Sequence, residues 1–461
     1  MTRRLATFVI LLALPLCAAV ASSTPDLRTE VAGIAKEVLA ATGTPAASIA
    51  IVQGGEIVLA EAFGDAQIEP RTPARPETRF AIGSISKQFT ASAILLLVEE
   101  KKLSLDDPVA RFLPDLERAN EVRVRDLLAH TSGYQDYWPQ DYVPPFMRSE
   151  IRPADLIERW ARRGLDFEPG TRWQYSNTGY TIGGLIVEKV SGEPLYSFLE
   201  KRVFVPLGMN GVVDLDRGRP EGSAHGYTRF GLGPLRPAPL EGQGWLFAAG
   251  SLGMAARDLA KWNIGVMEQR LLAPSSWAEI ETEVRLRSGL GTNYGLGLGM
   301  GRVGEHRQLE HGGSISGFLA ANRIFPDDRA AVTVLTNDDV GDAASAIADR
   351  IVSLLFDRED GKTESEARAR RLFEELQRGR MDRALFSENA NAYFTEEALR
   401  DHAASLRKLG APTKVKQTAQ RLRGGMTYRA FDVHTKKKAL EIHERDLPDG
   451  KIEEFIVVEK H

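Results

Sequence analysis

The chain of 461 residues carries a single cysteine, Cys17, and that scarcity removes several chemistries at once. Disulfide frameworks, cysteine nucleophiles and thiolate metal sites are excluded from the rest of the chain, so its stability has to come from core packing. An excess of one charge is also lacking, with 59 Lys and Arg against 63 Asp and Glu and a formal net charge of -4. Both signs are scattered along the sequence, so no basic face is available to neutralise a phosphate backbone, and nucleic acid is not an expected partner. The histidines His225, His306 and His311 show neither H-E-x-x-H nor H-x-H spacing, so no metal and no organic cofactor are expected. No serine in a strand-turn-helix context carries the G-x-S-x-G elbow of an α/β-hydrolase.

What is present starts with a leader. Arg3 and Arg4, the apolar run at 5–16 and Ala19-Val20-Ala21 match the charged, apolar and small-residue regions of a secretory signal peptide. The run is shorter than the ~20 residues of a membrane span. Residues 1–21 are therefore expected to direct export to the periplasm or the extracellular space, with no span left after cleavage behind Ala21. Cys17, following Leu14-Pro15-Leu16, offers a lipid-attached cysteine as the rival reading, against which stands the bulk of Leu16.

The spacing predicts an amphipathic helix over 27–41, a hairpin over 47–63 around Gly54-Gly55, and a helix over 84–98 that is apolar almost all round, as a buried helix is. A strand at 330–336 and a helix at 343–356 close the first unit. Residues 357–366 are polar with one glycine, which is linker composition. The expected organisation is a hydrolase domain at 22–357, a linker at 358–366 and a small α+β accessory domain at 367–461. That last domain is read as helices at 367–377 and 391–409 with strands at 414–422, 426–434, 439–444 and 452–458.

Ser84-Ile85-Ser86-Lys87 sets a serine and a lysine at i and i+3, neighbours on one helix face with the serine at the N-terminal end. A lysine on so apolar a helix is disfavoured as a cation, so its pKa falls and it can take the serine proton. The orphan N–H groups of the first turn favour developing negative charge. Ser405-Leu406-Arg407-Lys408 has the same spacing, but it sits late in an amphipathic helix beside Arg400, Asp401 and His402 and reads as solvated surface.

Tyr175-Ser176-Asn177 follows a turn-rich approach at 167–174 and leads into a helix at 180–190. Beside a cationic lysine the Tyr175 phenol is expected to acidify, making it a candidate acceptor of the Ser84 proton and later donor to the leaving group. The plain alternative is a packing tyrosine next to a helix-capping asparagine. His311-Gly312-Gly313-Ser314-Ile315-Ser316-Gly317 precedes a strand at 318–325, and its glycines let a substrate approach the backbone closely. His311, Gly313 and Ser314 are candidate substrate-binding residues, although a lone histidine is more often structural. The aromatic-rich stretch 134–146, with Trp138 and Tyr142, reads either as a pocket wall or as a surface loop packing on itself.

In this order and spacing the three elements resemble the serine β-lactamase and penicillin-binding-protein superfamily, in its class C and penicillin-recognising esterase branch, over about residues 30–357. Phe80-Ala81-Ile82-Gly83, Leu127-Leu128-Ala129-His130-Thr131-Ser132-Gly133, Ala249-Gly250-Ser251-Leu252 and Val334-Leu335-Thr336-Asn337 look like that family too. The resemblance implies an α/β (α+β) fold, an antiparallel sheet flanked by helices, with the small α+β domain outside it. It further implies acylation of Ser84, proton exchange by Lys87 and Tyr175, orientation of lysine and substrate by Asn177, and an oxyanion hole from the Ser84 and Ser314 amides. One departure stands out: the third motif has His311 where class C lactamases have lysine, as the esterase, D-aminopeptidase and carboxypeptidase-like members do. The expected function is an exported serine hydrolase cleaving an ester or amide of a small-molecule or peptide-like substrate. Two alternatives remain: a true β-lactamase or D,D-carboxypeptidase on the same residues, or a catalytically silent cell-envelope binding protein.

Overall fold

The structure, a computed structural model, describes residues 26–140, 142–356, 361–423 and 425–460. The expected leader and Cys17 lie outside the described residues. In the first unit, helix α1 (Leu27–Thr42) leads into strands β1 (Ala46–Gln53) and β2 (Glu56–Gln67), and helix α2 (Ser86–Glu99) follows. Helices α3 (Asn177–Ser191) and α4 (Ala256–Met267) come next. The unit closes with strands β3 (Gly299–Val303), β4 (His306–Ile315), β5 (Phe318–Phe325) and β6 (Ala330–Thr336) and helix α5 (Ala343–Phe356).

These strands form one antiparallel sheet of seven in the order Thr72–Pro73, β2, β1, β6, β5, β4, β3. The first and last strands of the unit thus meet in its middle, where Ala47 pairs with Thr336 and Val52 with Ala331. β1 is buried at every position except Gln53, because both faces of the sheet are covered. On one face Val31 and Ala35 of α1 and Ile347 and Ile351 of α5 pack on Ile49, Ile51, Val332 and Val334. On the other, Ala50, Val52, Ala331 and Leu335 join the larger core that contains α2. A continuous apolar run, rather than an alternating one, is what such a double-sided position demands. The hairpin turn uses Gly54 at φ 62° and Gly55 at φ 85°, the paired left-handed geometry of a tight two-residue connection.

α2 is buried from Ser86 through Leu97 and emerges at Glu99, which matches the all-round apolarity of its sequence. Beyond the unit, helix α6 (Gly361–Gln377), two shorter helices (Glu388–Tyr393 and α7, Glu396–Leu406) and strands β7 (Lys414–Arg423), β8 (Met426–His434), β9 (Ala439–Asp446) and β10 (Ile452–Glu459) form a separate domain. Its four-stranded antiparallel sheet runs β7-β8-β9-β10 and encloses its own core of Ala369, Phe373, Phe431, Ile442 and Phe455. Two details differ from the sequence reading. α6 begins at Gly361, inside the stretch read as linker at 358–366. The helix expected over 391–409 is broken, because Thr395 caps a new helix by accepting the Ala398 N–H at 3.2 Å. Among the described residues no helix is long and apolar enough to cross a membrane.

Candidate active site

Ser84 stands on a 3-10 turn, Gly83–Ile85, that runs directly into α2. Lys87, one turn on, is fully buried. Its Nζ donates to Ser84 Oγ at 3.0 Å, to Asn177 Oδ1 at 2.8 Å and to the Ala249 carbonyl at 2.9 Å. Burial pushes the lysine down to about 7, against the opposing pull of Asp136. Once deprotonated, the amine keeps two hydrogens and gains one lone pair. Asn177 Oδ1 and the Ala249 carbonyl have no proton to give, so they hold the two hydrogens and the lone pair faces Ser84 Oγ.

Tyr175 arrives on the extended approach to α3, whose first turn is capped by Ser176 Oγ accepting the Gly179 N–H. The Ser84 side chain acts on the Tyr175 hydroxyl against the effect of burial. The expected acidification of this phenol does not occur: burial pushes its pKa up. The lysine sits 4.8 Å over the ring centroid, and the Asp136 carboxylate pushes the same way as burial. Tyr175 is therefore a neutral phenol, able to pass a proton but a poor first acceptor. His130 packs against it with ring centroids 4.2 Å apart and accepts the Ser176 N–H on Nδ1 at 3.1 Å.

The third motif lies on β4, the strand next to the sheet edge. A Cβ at Gly313 would stand 2.0 Å from the Ile82 carbonyl oxygen, and one at Gly83 2.8 Å from the Ser314 nitrogen. Only glycines allow the turn that carries Ser84 and the strand to approach so closely. That contact brings the Ser314 amide against the turn carrying Ser84, as a two-amide oxyanion hole requires. His311 is buried and pushed down to about 4 by burial and by Lys87. The Gly312 carbonyl can only accept, so Nδ1 donates to it at 2.6 Å and Nε2 accepts from the Tyr294 hydroxyl at 2.9 Å.

Ser84, Tyr175, Asn177, His311 and Ser314 all line one open cleft of about 950 Å³, with Trp138 and Tyr142 on its wall. Within the stretch Trp138 Nε1 donates to the Tyr142 carbonyl at 3.1 Å, while Phe146 packs outside it on Trp160 and Trp245. The second S-x-x-K lies elsewhere: Ser405 is exposed and donates to the Asp401 carbonyl of its own helix at 2.7 Å. Among the described residues no group of three or more His, Cys, Asp or Glu side chains could hold a metal ion.

A family model described as Beta-lactamase matches residues 31–356. The chain belongs to the beta-lactamase family. It is 28% identical over 305 residues to penicillin-binding protein 4* of Bacillus subtilis (strain 168), covering 63% of this chain and 67% of that protein. It is also 28% identical over 314 residues to a D-aminopeptidase of Brucella anthropi, covering 67% of this chain and 59% of that protein. Among solved structures, D-amino acid amidase from Ochrobactrum anthropi SV3 complexed with D-phenylalanine has a TM-score of 0.65 at 25% identity, covering 73% of this chain and 100% of that one. The octameric penicillin-binding protein homologue from Pyrococcus abyssi matches with a TM-score of 0.65 at 24% identity, over 94% of this chain and 100% of that one, and shares the fold. This beta-lactamase family chain thus has a D-aminopeptidase and a D-amino acid amidase among the proteins it is similar to.

Four participants have no marker in the sequence motifs. Asp136, His130 and Tyr294 contact motif residues through their side chains, and Ala249 contributes only a carbonyl. His130 and Ala249 fall within phrases that look like the family, and that is the one signal that pointed to them.

Proposed function

We propose that this protein is an exported serine hydrolase that cleaves an amide or ester of a small or peptide-like substrate through an acyl-enzyme on Ser84. The supporting observation is the lysine geometry: Lys87 is poised near neutrality with two pure acceptors on its hydrogens, which aims its lone pair at Ser84 Oγ. In the first step Ser84 Oγ bonds to the substrate carbonyl carbon while its proton passes to Lys87. The carbonyl oxygen becomes an oxyanion between the Ser84 and Ser314 amides. Collapse breaks the bond to the leaving group, which takes a proton from the Tyr175 hydroxyl as Lys87 resupplies the phenol. Water then bonds to the acyl carbon while its proton passes to Lys87; the bond from that carbon to Ser84 Oγ breaks, Lys87 returns the proton to Oγ, and the acid leaves.

The beta-lactamase reading meets an obstacle at His311. A neutral imidazole that already donates to Gly312 and accepts from Tyr294 offers no cation to a substrate carboxylate. Amides and esters without that carboxylate lose nothing here. Export rests on the sequence of the leader alone, on Arg3, Arg4, the apolar run at 5–16 and Ala19-Val20-Ala21.

The test is intact-mass spectrometry after exposure to a fluorophosphonate. A single adduct that maps to Ser84 and vanishes in Ser84→Ala supports the acyl-enzyme reading. A protein that stays unlabelled while binding a penicillin or peptide reversibly would be a silent binder.

A further inference from the structure

Asp136 is named by none of the three motifs, yet it lines the cleft. Its Oδ1 accepts the backbone N–H of Asn177 at 3.0 Å, and its Oδ2 accepts the Asn177 side-chain Nδ2 at 3.3 Å. One carboxylate therefore grips the backbone and the side chain of the residue whose other amide atom, Oδ1, faces Lys87 at 2.8 Å. We propose that Asp136 is a positioning residue for the nucleophile's base, fixing the Asn177 amide with its oxygen toward Lys87 and setting a carboxylate opposite the lysine. Burial raises the Asp136 pKa, and the Asn177 and Trp138 N–H groups and Lys87 oppose that rise. The proposal rests on the reading of Lys87 as the base.

The argument from the amide is one of elimination. The two ends of an asparagine amide have nearly the same shape, so packing alone does not choose between them. Flipped, the NH2 group would point at the lysine and the oxygen at the carboxylate, setting donor against donor and acceptor against acceptor. With Asp136 in place only the observed orientation satisfies all three groups. The carboxylate also sits at the start of α3, where the unpaired N–H groups of the first turn favour a negative charge.

The segment that carries Asp136 is anchored on both sides. The Gln135 carbonyl accepts from Thr178 Oγ1 at 2.6 Å, and the Tyr137 hydroxyl donates to the Trp245 carbonyl. Oδ1 also accepts the Trp138 N–H at 3.3 Å, so the carboxylate is held before any substrate arrives. The other titratable groups facing Lys87 are His130, His311, Tyr175 and Tyr180. Both imidazoles are held below their ordinary range and both phenols above theirs, chiefly by burial, so all four are neutral. Among the described groups acting on the lysine, Asp136 is the charge that opposes the effect of burial. Removing that charge leaves burial unopposed and lowers the pH at which the lysine gives up its proton.

The experiment compares wild type, Asp136→Asn, Asp136→Ala and Lys87→Ala, measuring kcat and KM against pH with a neutral aryl ester and with an amide bearing a free amine. Asp136→Asn, close in shape and still able to accept the Asn177 N–H, is expected to move the acid limb of kcat/KM to lower pH. Its limiting kcat should fall while KM for the neutral ester stays within about twofold of wild type. Asp136→Ala removes both hydrogen bonds as well and should lower kcat by about tenfold to a hundredfold, the loss that goes with hydrogen bonds to a charged group. If Asp136→Ala does not fold, the Asn variant carries the test, with its thermal midpoint as the check on structure. An unmoved limb and unchanged kcat in Asp136→Asn, with Lys87→Ala inactive, overturn the Asp136 proposal alone. So does a higher KM confined to the amine-bearing amide, which would make Asp136 a substrate-binding carboxylate. Wild-type rate and limb in Lys87→Ala would sink the lysine reading and this proposal together.

Discussion

Raising the pH by two units across neutrality should increase kcat/KM for a neutral ester about tenfold and then have little further effect. The reason lies in Lys87, whose burial brings it from 10.5 to about 7. With that midpoint, about one molecule in eleven holds the free amine at about pH 6, half at about pH 7 and about ten in eleven at about pH 8. An ordinary lysine would hold about 1 part in 3,000 as free base at neutrality and would go on gaining tenfold per unit to beyond about pH 10. The two cases separate cleanly in a spectrophotometric assay of a short-chain aryl ester, corrected for spontaneous hydrolysis with Ser84→Ala. A rate still climbing tenfold per unit above about pH 9, or one flat across the whole range, would refute the assignment of Lys87 as a desolvated base.

The same shift has a stability counterpart. A lysine lowered in the folded state gives the unfolded chain the greater proton affinity between about 7 and 10.5, so stability rises with pH across that window. The cost of burying the cation, fully present below about 7, is on the order of 5 kcal/mol for a shift from 10.5 to about 7. Thermal midpoints recorded against pH should show that rise in wild type and lose it in Lys87→Met.

Ser84→Ala should abolish turnover, by on the order of 10³ to 10⁶ as for a nucleophile in a cooperative unit, while Ser405→Ala leaves the rate unchanged; similar activity in wild type and Ser84→Ala rejects the nucleophile. Lys87→Ala and Tyr175→Phe should each slow acylation severely without being additive, because they serve one proton path; a double mutant showing the product of the two losses means that they act independently. His311→Lys should shift the ratio of cephalosporin to aryl-ester kcat/KM toward the cephalosporin by about tenfold to a hundredfold, as a charge-assisted hydrogen bond to the carboxylate would. Equal loss of both activities would mean that the histidine serves packing with Tyr294 alone.

Much of this architecture can be read from the chain. β6 and α5 match the expected strand and helix, because a fully buried strand and a helix with one apolar face leave clear patterns. β3 and the first part of β4 left no such signal: glycine at 299 and 301 and charge at 302, 305 and 307 disguise strands near the sheet edge. Within the site, Ser84, Lys87, Tyr175 and Asn177 were legible because spacing on a helix and a loop-to-helix junction have sequence signatures. Asp136 was not, lying between tyrosines in an aromatic stretch where its partner is 41 positions away. The direction of the Tyr175 shift was misread for a related reason. A neighbouring lysine can be inferred from motifs, whereas the depth at which a phenol is buried, and the position of the cation over its ring, depend on the packing of His130 and His311 around it.

The close approach of Gly83 to the Ser314 amide also bears on when the protein can become active. The two amides that would receive the oxyanion are some 230 residues apart along the chain, and the strand that carries the second is held in place through β5 and β6 to β1, near the beginning. During synthesis, therefore, a chain can already possess Ser84, Lys87 and Tyr175 and still lack half of the proposed oxyanion hole. Catalytic competence waits until β6 has emerged and inserted beside β1, and pairing over such a sequence distance is intrinsically slow. Activity is thus a late event of folding, and its appearance in a refolding experiment should trail the formation of helical signal.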